Sequence, residues 1–322
     1  MSGPPYHLRK NKAADRMTFI DAIRRLIVLD SDLENYTYYG FGGSYLEDMR
    51  LIYEFHPAIF MVSIERDSEV YQRQDFHRPC GKIRLENIEM GDFISRDELE
   101  DKKCIVWLDY TNLEYRFFEE FGMVINKVAP GSMIKITLRA DPRRYYSIFR
   151  DNTGAKPNDY QIAKFRLEFE KIMPDLDIPW QSGEFAYYVQ RMVRIMAQRA
   201  MEASSLKFYP VTSFYYSDGT WILTLTGVIW PRDNGEKVES TFRDWEFANL
   251  TWDKPTWINI PDLSTKERLH IQQFLPCDGD RGAILKEKLG HCVGSDDQTT
   301  EEALEQYAIF HRYFPYFLRG TP

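Results

Sequence analysis

The hydrophobic positions of this chain recur with two periods that alternate along its first half. Residues 17–29 carry apolar side chains at the three- and four-residue spacing of an amphipathic helix. Short β-branched and aromatic runs follow, and each is long enough for one buried strand. The predicted strands are residues 36–41, 59–64, 82–85, 104–108 and 133–138. Between them, helical spacing predicts helices over residues 44–56, 68–77 and 113–127. This alternation indicates βαβ units and a mostly parallel sheet covered by helices on both faces.

The alternation stops after the fifth predicted strand. Residues 143–203 keep the helical spacing throughout and predict a helical insertion. Two β-rich runs, 207–216 and 220–230, then flank Asp218-Gly219, a dipeptide that favours a hairpin turn. We therefore expect the sheet to end in an antiparallel pair.

Three parts of the chain follow from these patterns. They are an N-terminal helical segment (1–35), a Rossmann-like domain (36–235) that contains the insertion, and a mainly helical C-terminal subdomain (236–322). Within the last part, Ser264 suits the N-cap of a helix. The predicted fold class is α/β, a mostly parallel sheet with a terminal hairpin, a helical insertion and a small helical appendage.

Composition and charge narrow the function classes. The 41 Lys and Arg residues against 49 Asp and Glu residues give a net charge of -8, which argues against non-specific coating of nucleic acid. The longest apolar runs have four or five residues, whereas a membrane span needs roughly 20. The N-terminal residues are polar and lack the apolar centre of a secretion signal. We expect a cytoplasmic protein without a membrane partner.

Sequence motifs for metals and for common nucleophiles are absent. The four cysteines form no CxxC pair and the six histidines no HxxxH pair, so we expect no metal site and no disulfide framework. The chain has neither a GxSxG element nor a P-loop lysine pattern. The sequence therefore contains no motif that supports a hydrolase or a nucleoside-triphosphatase function.

Candidate binding residues follow the first two predicted strands. Ligands of open α/β sheets bind at the carboxyl ends of the strands. Gly40-Phe41-Gly42-Gly43 follows the first strand, and glycines there permit a tight turn that brings backbone N–H groups to a ligand. Glu65 follows the second strand, at the spacing where dinucleotide folds place the acid that accepts ribose hydroxyls. The structural alternatives are a turn without a ligand and a surface glutamate.

Two further acidic positions follow the third and fourth strands. In Gly91-Asp92-Phe93, the Asp92 carboxylate can accept from an exocyclic amine, while a neighbouring backbone N–H donates to a ring nitrogen. Asp109 directly follows the apolar run Cys104–Leu108, which predicts that it ends a buried strand at the mouth of the cleft. The alternatives are a turn aspartate at 92 and a helix N-cap at 109.

The order of these elements is similar to that of the class I S-adenosylmethionine-dependent methyltransferases, over roughly residues 36–230. The resemblance implies a seven-stranded sheet with a reversed last strand, and S-adenosylmethionine as the cofactor. It implies that Gly40, Gly42 and Gly43 face the methionine part and that Glu65 holds the ribose hydroxyls. It further implies that Asp92 and Phe93 hold and cover the adenine, and that Asp109 lies near the transferring methyl group.

The chain departs from that family at two places. Tyr38 stands two residues before the first glycine, where the family commonly has an acid. Asp109-Tyr110-Thr111-Asn112 lacks both prolines of the Asn/Asp-Pro-Pro-aromatic motif that marks the branch methylating amino groups. The second departure argues against methylation of a base amine.

Arginines dominate the segment after the fifth strand. This segment contains one nearby acidic residue, Asp141, and four arginines: Arg139, Arg143, Arg144 and Arg150. Guanidinium groups bind phosphates and carboxylates with paired hydrogen bonds, and tyrosines can stack on bases. We expect three of these arginines (139, 143 and 144), with Tyr110, to bind an anionic acceptor. The alternative is a solvated loop that starts a helix.

Three functional hypotheses remain open. The first is an S-adenosylmethionine-dependent methyltransferase of unknown acceptor, in which Asp109 orients or deprotonates the acceptor. The second is a non-catalytic Rossmann-like module that recruits a protein partner through the insertion or the C-terminal subdomain. The third is an NAD-dependent enzyme, because a glycine loop followed by Glu65 also suits NAD. The terminal hairpin and Gly91-Asp92 argue against this third hypothesis.

Overall fold

The computed structural model describes residues 9–145 and 158–313. In the first half, strands and helices alternate as predicted, and every strand bound agrees with the prediction within one residue. The strands are β1 (Thr37–Gly40), β2 (Phe60–Ile64), β3 (Ile83–Glu86), β4 (Cys104–Asp109) and β5 (Met133–Arg139). The helices are α1 (Lys10–Leu29), α2 (Glu47–Phe55), α3 (Ser68–His77), α4 (Met90–Ile94) and α5 (Tyr115–Lys127).

The second half contains the predicted insertion, hairpin and helical appendage. Its elements are α6 (Asp159–Phe169), α7 (Ser182–Ala200), β6 (Leu206–Ser217), β7 (Trp221–Pro231), α8 (Gly235–Phe242), β8 (Thr256–Ile258), α9 (Thr265–Gln272), α10 (Arg281–Leu289) and α11 (Asp297–Phe310). The α/β fold class is therefore confirmed. Within the two described ranges, no helix is both long and apolar enough to cross a membrane.

The eight strands form one mixed sheet in the order β3-β2-β1-β4-β5-β7-β6-β8. Strands β1 to β5 pair in parallel, and β7 pairs antiparallel with β5 from Met133↔Val228 to Arg139↔Ile222. The chain runs outward from β1 to β3 and then returns to β4 on the other side of β1. The carboxyl ends of β1 and β4 thus flank a topological switch point, the place where open α/β sheets bind ligands.

Helix α1 begins seven residues before the predicted helix. Its first turns are polar, so the hydrophobic spacing does not report them, yet Asn11 and Asp15 are buried. Asn11 Nδ2 donates to the Asp218 carboxylate at 3.0 Å and to the Ser217 carbonyl at 3.1 Å. Hydrogen bonds to the hairpin turn, rather than apolar burial, therefore accompany the start of this helix.

Contacts divide the chain into two units. The larger unit comprises Phe19–Tyr215 and Gly219–Thr256, and the smaller comprises Met1–Thr18, Tyr216–Asp218 and Trp257–Pro322. The three-part division at residues 35 and 235 stays a prediction. In the smaller unit, Ser264 caps α9 as expected, through a capping box with Glu267.

The two faces of the larger unit's sheet differ in chemistry. The face toward α4, α5 and α7 is apolar and includes Tyr39, Val106 and Ile134. Lys135 follows Ile134 on β5 and therefore lies on the opposite face of the sheet. It is buried there, with its Nζ 4.5 Å from the ring centroid of Trp107 and 5.0 Å from that of Phe19. Contact with the two aromatic rings stabilises the buried ammonium group of Lys135.

The hairpin leaves no room for a side chain at Gly227, which pairs with Ile134. A Cβ at Gly227 would lie 2.2 Å from the Phe208 ring and 2.6 Å from the Tyr209 carbonyl oxygen. We expect Gly227→Ala to lower the free energy of unfolding by about 1–3 kcal/mol through overpacking. Urea denaturation measures this, with Gly81→Ala, which enters open space, as the control. Equal stability of the two variants would contradict the packing described.

Candidate functional site

The loop after β1 requires glycine at two positions. Gly42 and Gly43 have φ angles of 68° and 56°, in the left-handed region that favours glycine. A Cβ at Gly42 would also lie 2.5 Å from Leu46 Cδ2 and 3.1 Å from Ser63 Oγ. The glycine motif therefore reflects a tight turn pressed against β2.

Two buried polar side chains beneath this loop hold its carbonyl groups. Gln74 Nε2 on α3 donates to the carbonyl oxygens of Phe41 at 2.8 Å and Gly43 at 3.0 Å. Ser63 Oγ on β2 lies 2.9 Å from Gln74 Oε1 and 3.2 Å from the same Phe41 oxygen. In a trans peptide the N–H points opposite to the C=O. The N–H groups of Gly42 and Ser44 consequently point away from Gln74.

Tyr38, one of the two departures from the family pattern, has a carboxylate as its hydrogen-bond partner. It is fully buried, and its hydroxyl donates to the carboxylate of Asp48 on α2. Gly40 permits this arrangement, because a Cβ there would lie 2.6 Å from the Tyr38 hydroxyl oxygen. A carboxylate thus stands beside the loop, supplied by α2 instead of β1.

Glu65 lies directly after β2, and its backbone is tied to the end of β3. Its carbonyl accepts from Asn87 Nδ2 at 2.7 Å and from the Ile88 N–H at 3.0 Å. Its Oε1 accepts from the Asp67 N–H at 2.8 Å. Burial raises the pKa of the Glu65 carboxyl despite that bond, and the nearby Asp67 charge adds to the rise. Its charge therefore costs free energy in the protein.

The structure separates the two residues expected near an adenine. Helix α4 starts at Met90, so Asp92 lies in its first turn and is exposed, while Phe93 is fully buried. The Phe93 ring packs against Tyr39, with 5.8 Å between centroids, and is a core side chain. Directly after β3 come Asn87, Ile88 and Glu89, and Ile88 is half-buried beside Glu65.

The end of β4 places one acidic residue at the switch point and buries the next residue. Asp109 ends the strand and is half-buried. Tyr110 is 6% exposed, stacks on Phe117 at 4.0 Å, and donates its hydroxyl to the buried Glu120 carboxylate. Burial and then the Glu120 charge raise the pKa of Tyr110. Tyr110 is thus a core side chain and does not face an acceptor.

Two of the arginines at the end of β5 lie at one buried carboxylate, and a third lies beside Asn112. Arg143 donates to Asp141 through Nε at 2.9 Å and Nη2 at 2.8 Å, and Arg139 Nη2 lies 3.9 Å from the same group. Arg144 Nη1 donates to Asn112 Oδ1 at 3.3 Å. Arg150 lies outside the described residues. The structure therefore brings together three of the four arginines that the sequence singles out.

Four further residues of this region escape sequence reasoning, namely Asp48, Ser63, Gln74 and Asn87. Only Ser63 leaves a signal, because it is a polar residue within the apolar run of β2. The others lie on helices or in a turn, where polar residues are common. Across residues 9–145 and 158–313, no group of three or more His, Cys, Asp or Glu side chains could hold a metal ion.

Residues 4–321 match the sequence pattern of a protein family described as "Putative O-methyltransferase". No curated protein matches the chain in sequence.

Several solved structures are similar at low identity. An O-methyltransferase family protein from Burkholderia thailandensis is 13% identical, covering 67% of this chain and 60% of its own, with a TM-score of 0.34. The plantazolicin methyltransferase in complex with SAH is 10% identical over 67% and 84%, with a TM-score of 0.38. A probable spermidine synthase from Corynebacterium glutamicum is 11% identical over 78% and 80%, with a TM-score of 0.43. This chain spans about 60% of the Burkholderia protein.

The support beneath the glycine loop can be removed with little change in side-chain size. We expect Gln74→Met to lower the free energy of unfolding by about 1–3 kcal/mol, because the Phe41 and Gly43 carbonyls lose a buried donor. Hydrogen exchange of the loop amides should also become faster. Urea denaturation and exchange mass spectrometry measure these effects. Gln72→Met, at an exposed position of the same helix, is the control. If both variants behaved alike, the loop would not depend on Gln74.

Proposed function

The chain belongs to the family described as "Putative O-methyltransferase", and on this premise we propose that it transfers a methyl group from S-adenosylmethionine to an acceptor oxygen. One arrangement carries the proposal. The glycine loop, Glu65 and Asp109 follow or end three adjacent strands, β1, β2 and β4, at the switch point. The missing Pro-Pro motif after Asp109 agrees with oxygen, not a base amine, as the acceptor atom.

The glycine loop would hold the methionine part of the cofactor. Gly40 ends β1, and the left-handed backbone at Gly42 and Gly43 gives the loop the tight turn that would carry that part. The N–H groups of Gly42 and Ser44, which point away from Gln74, suit the methionine carboxylate, since successive backbone N–H groups bind anions. The Asp48 carboxylate, oriented by Tyr38, suits the methionine ammonium.

The ends of β2 and β3 would hold the nucleoside. The Glu65 carboxylate can accept hydrogen bonds from both ribose hydroxyls, and its unfavourable burial is relieved by such donors. Asp92 is proposed for the amino edge of the adenine. Phe93 is core, so the half-buried Ile88 takes the covering role in this proposal.

Asp109 would act on the acceptor. When bound, S-adenosylmethionine supplies a methyl group on a positively charged sulfur. In that transfer the acceptor oxygen would bond to the methyl carbon, the carbon–sulfur bond would break, and its electron pair would stay on sulfur. The acceptor proton passes to the Asp109 carboxylate, which also aligns the oxygen.

The role of Glu65 can be tested by removing its charge alone. We expect Glu65→Gln to weaken S-adenosylmethionine binding about tenfold to a hundredfold, as two hydrogen bonds lose their charged acceptor. The melting temperature should stay equal or rise, because the buried charge is costly. Isothermal titration and thermal unfolding measure the two effects. Glu69→Gln, at an exposed position of α3, is the matched control and should change neither.

The same residue predicts a dependence on pH. Its raised pKa means that Glu65 gains a proton, on acidification, at a pH where an ordinary glutamate is still ionised. Wild-type affinity should therefore fall through that range, whereas the affinity of Glu65→Gln should stay flat. An identical pH profile for both proteins would overturn the assignment of Glu65.

Asp109 can be tested by transfer of labelled methyl groups. We expect Asp109→Asn to lower transfer from tritiated S-adenosylmethionine into a small-molecule cell extract by about a hundredfold or more. Its cofactor affinity by titration should remain within about threefold of wild type. Undiminished transfer would refute the role of Asp109. Cofactor binding without transfer in the wild type would favour the non-catalytic module, and NAD binding in its place would favour a nicotinamide enzyme.

A further inference from the structure

We propose that the acceptor carries an anionic group, a carboxylate or a phosphate, which binds between Arg139 and Arg144 at the end of β5. This inference rests on the proposed function and adds a substrate class to it. The sequence predicts that these arginines bind an anionic acceptor, with a solvated loop as the alternative. The structure adds three observations that favour a binding site over a solvated loop.

The first observation is that Asp141 is already fully engaged. Its side chain is 3% exposed, and it accepts from Arg143 Nε, Arg143 Nη2, the Arg143 N–H at 3.1 Å and Thr220 Oγ1 at 2.9 Å. Burial alone would raise the pKa of Asp141, but the bonds from Arg143 and Thr220 hold it below its usual range. The Asp141 carboxylate is therefore the hydrogen-bond partner of Arg143. Its 3.9 Å distance to Arg139 Nη2 is too long for a hydrogen bond.

The second observation is an unmet donor on Arg139. Its Nε atom is buried and has no hydrogen-bond partner in the described part of the chain, although the side chain as a whole is 33% exposed. Guanidinium groups bind carboxylates and phosphates through Nε and Nη together. An anion on the exposed side of Arg139 would bind its Nη atoms, and a small rotation of the guanidinium group would bring Nε to the same anion.

The third observation is the placement of these groups beside the proposed reaction centre. Asp109 pairs with Thr137 on β5, and Arg139 follows two residues later, about 7 Å along the strand. The Arg139 N–H donates to the Asn112 carbonyl at 3.2 Å, and Arg144 reaches the Asn112 side chain. A small hydroxy acid or phosphorylated alcohol spans such a separation.

Charge favours a small anion over a nucleic acid. Arg139, Arg143 and Arg144 against Asp141 and the neighbouring Asp109 leave a local excess of one positive charge, whereas the whole chain has a net charge of -8. A polyanion needs a long basic track, but one carboxylate or phosphate group needs only such a pair of guanidinium groups.

Inorganic phosphate tests the site without the cofactor and without knowledge of the acceptor. We expect sodium phosphate to raise the melting temperature of the wild type more than sodium chloride does at equal ionic strength. Arg139→Gln, and separately the exposed Arg144→Gln, should lose at least half of that extra shift. Arg96→Gln, which alters a surface arginine paired with Glu86, should keep all of it. An equal shift in all four proteins, or no phosphate-specific shift, would overturn the proposal.

A second measurement separates this inference from the proposed function. The extract component that accepts tritiated methyl groups should bind to an anion-exchange resin before methylation. An acceptor found in the unbound fraction would overturn the anionic class while leaving the methyltransferase proposal intact. Failure of S-adenosylmethionine to bind in titration would instead remove the proposed function, while the phosphate experiment would still decide the arginine site.

Discussion

Hydrogen bonding beneath the glycine loop is the constraint on which the rest of the candidate site depends. A buried carbonyl without a partner is costly, and the loop turns two of its carbonyls inward. Ser63 and Gln74 meet that demand, and in doing so they join β1, β2 and α3. Glu65 follows Ser63 by two residues. The network that shapes the loop therefore also fixes where the acid after β2 can stand.

Burial tends to raise the pKa of two carboxylates in this region, and they differ in how far hydrogen bonds offset that rise. The pKa of Glu65 is raised because burial outweighs its backbone hydrogen bonds from Asp67 and Arg66, whereas that of Asp141 is lowered because its bonds from Arg143 and Thr220 outweigh burial. A half-buried acid whose donors do not offset the cost of burial is poised for a ligand that brings more of them, and one that is satisfied is part of the framework. This contrast separates a candidate binding group from a residue that orients its neighbours.

The site also shows that a chemical group can be supplied from an unexpected element. Tyr38 stands where the similar family commonly has an acid, and its hydroxyl donates to the Asp48 carboxylate on α2. Tyr110 likewise donates its hydroxyl hydrogen bond to the Glu120 carboxylate inside the core. Neither hydrogen bond follows from the position of the tyrosine along its strand, and the contact of Tyr110 differs from the one predicted for it.

The sequence by itself determined the order of strands and helices, the terminal hairpin and the glycine loop. These features depend on local periodicity and on backbone angles, which short stretches of sequence report. Only the tertiary structure decided the polar start of α1, the burial of Phe93, and the partners of Gly42, Tyr38 and Asp141. The Thr220 hydroxyl reaches Asp141 across 79 residues of chain. Such contacts depend on how elements pack together, and hydrogen-bond partners far apart in sequence leave no local pattern.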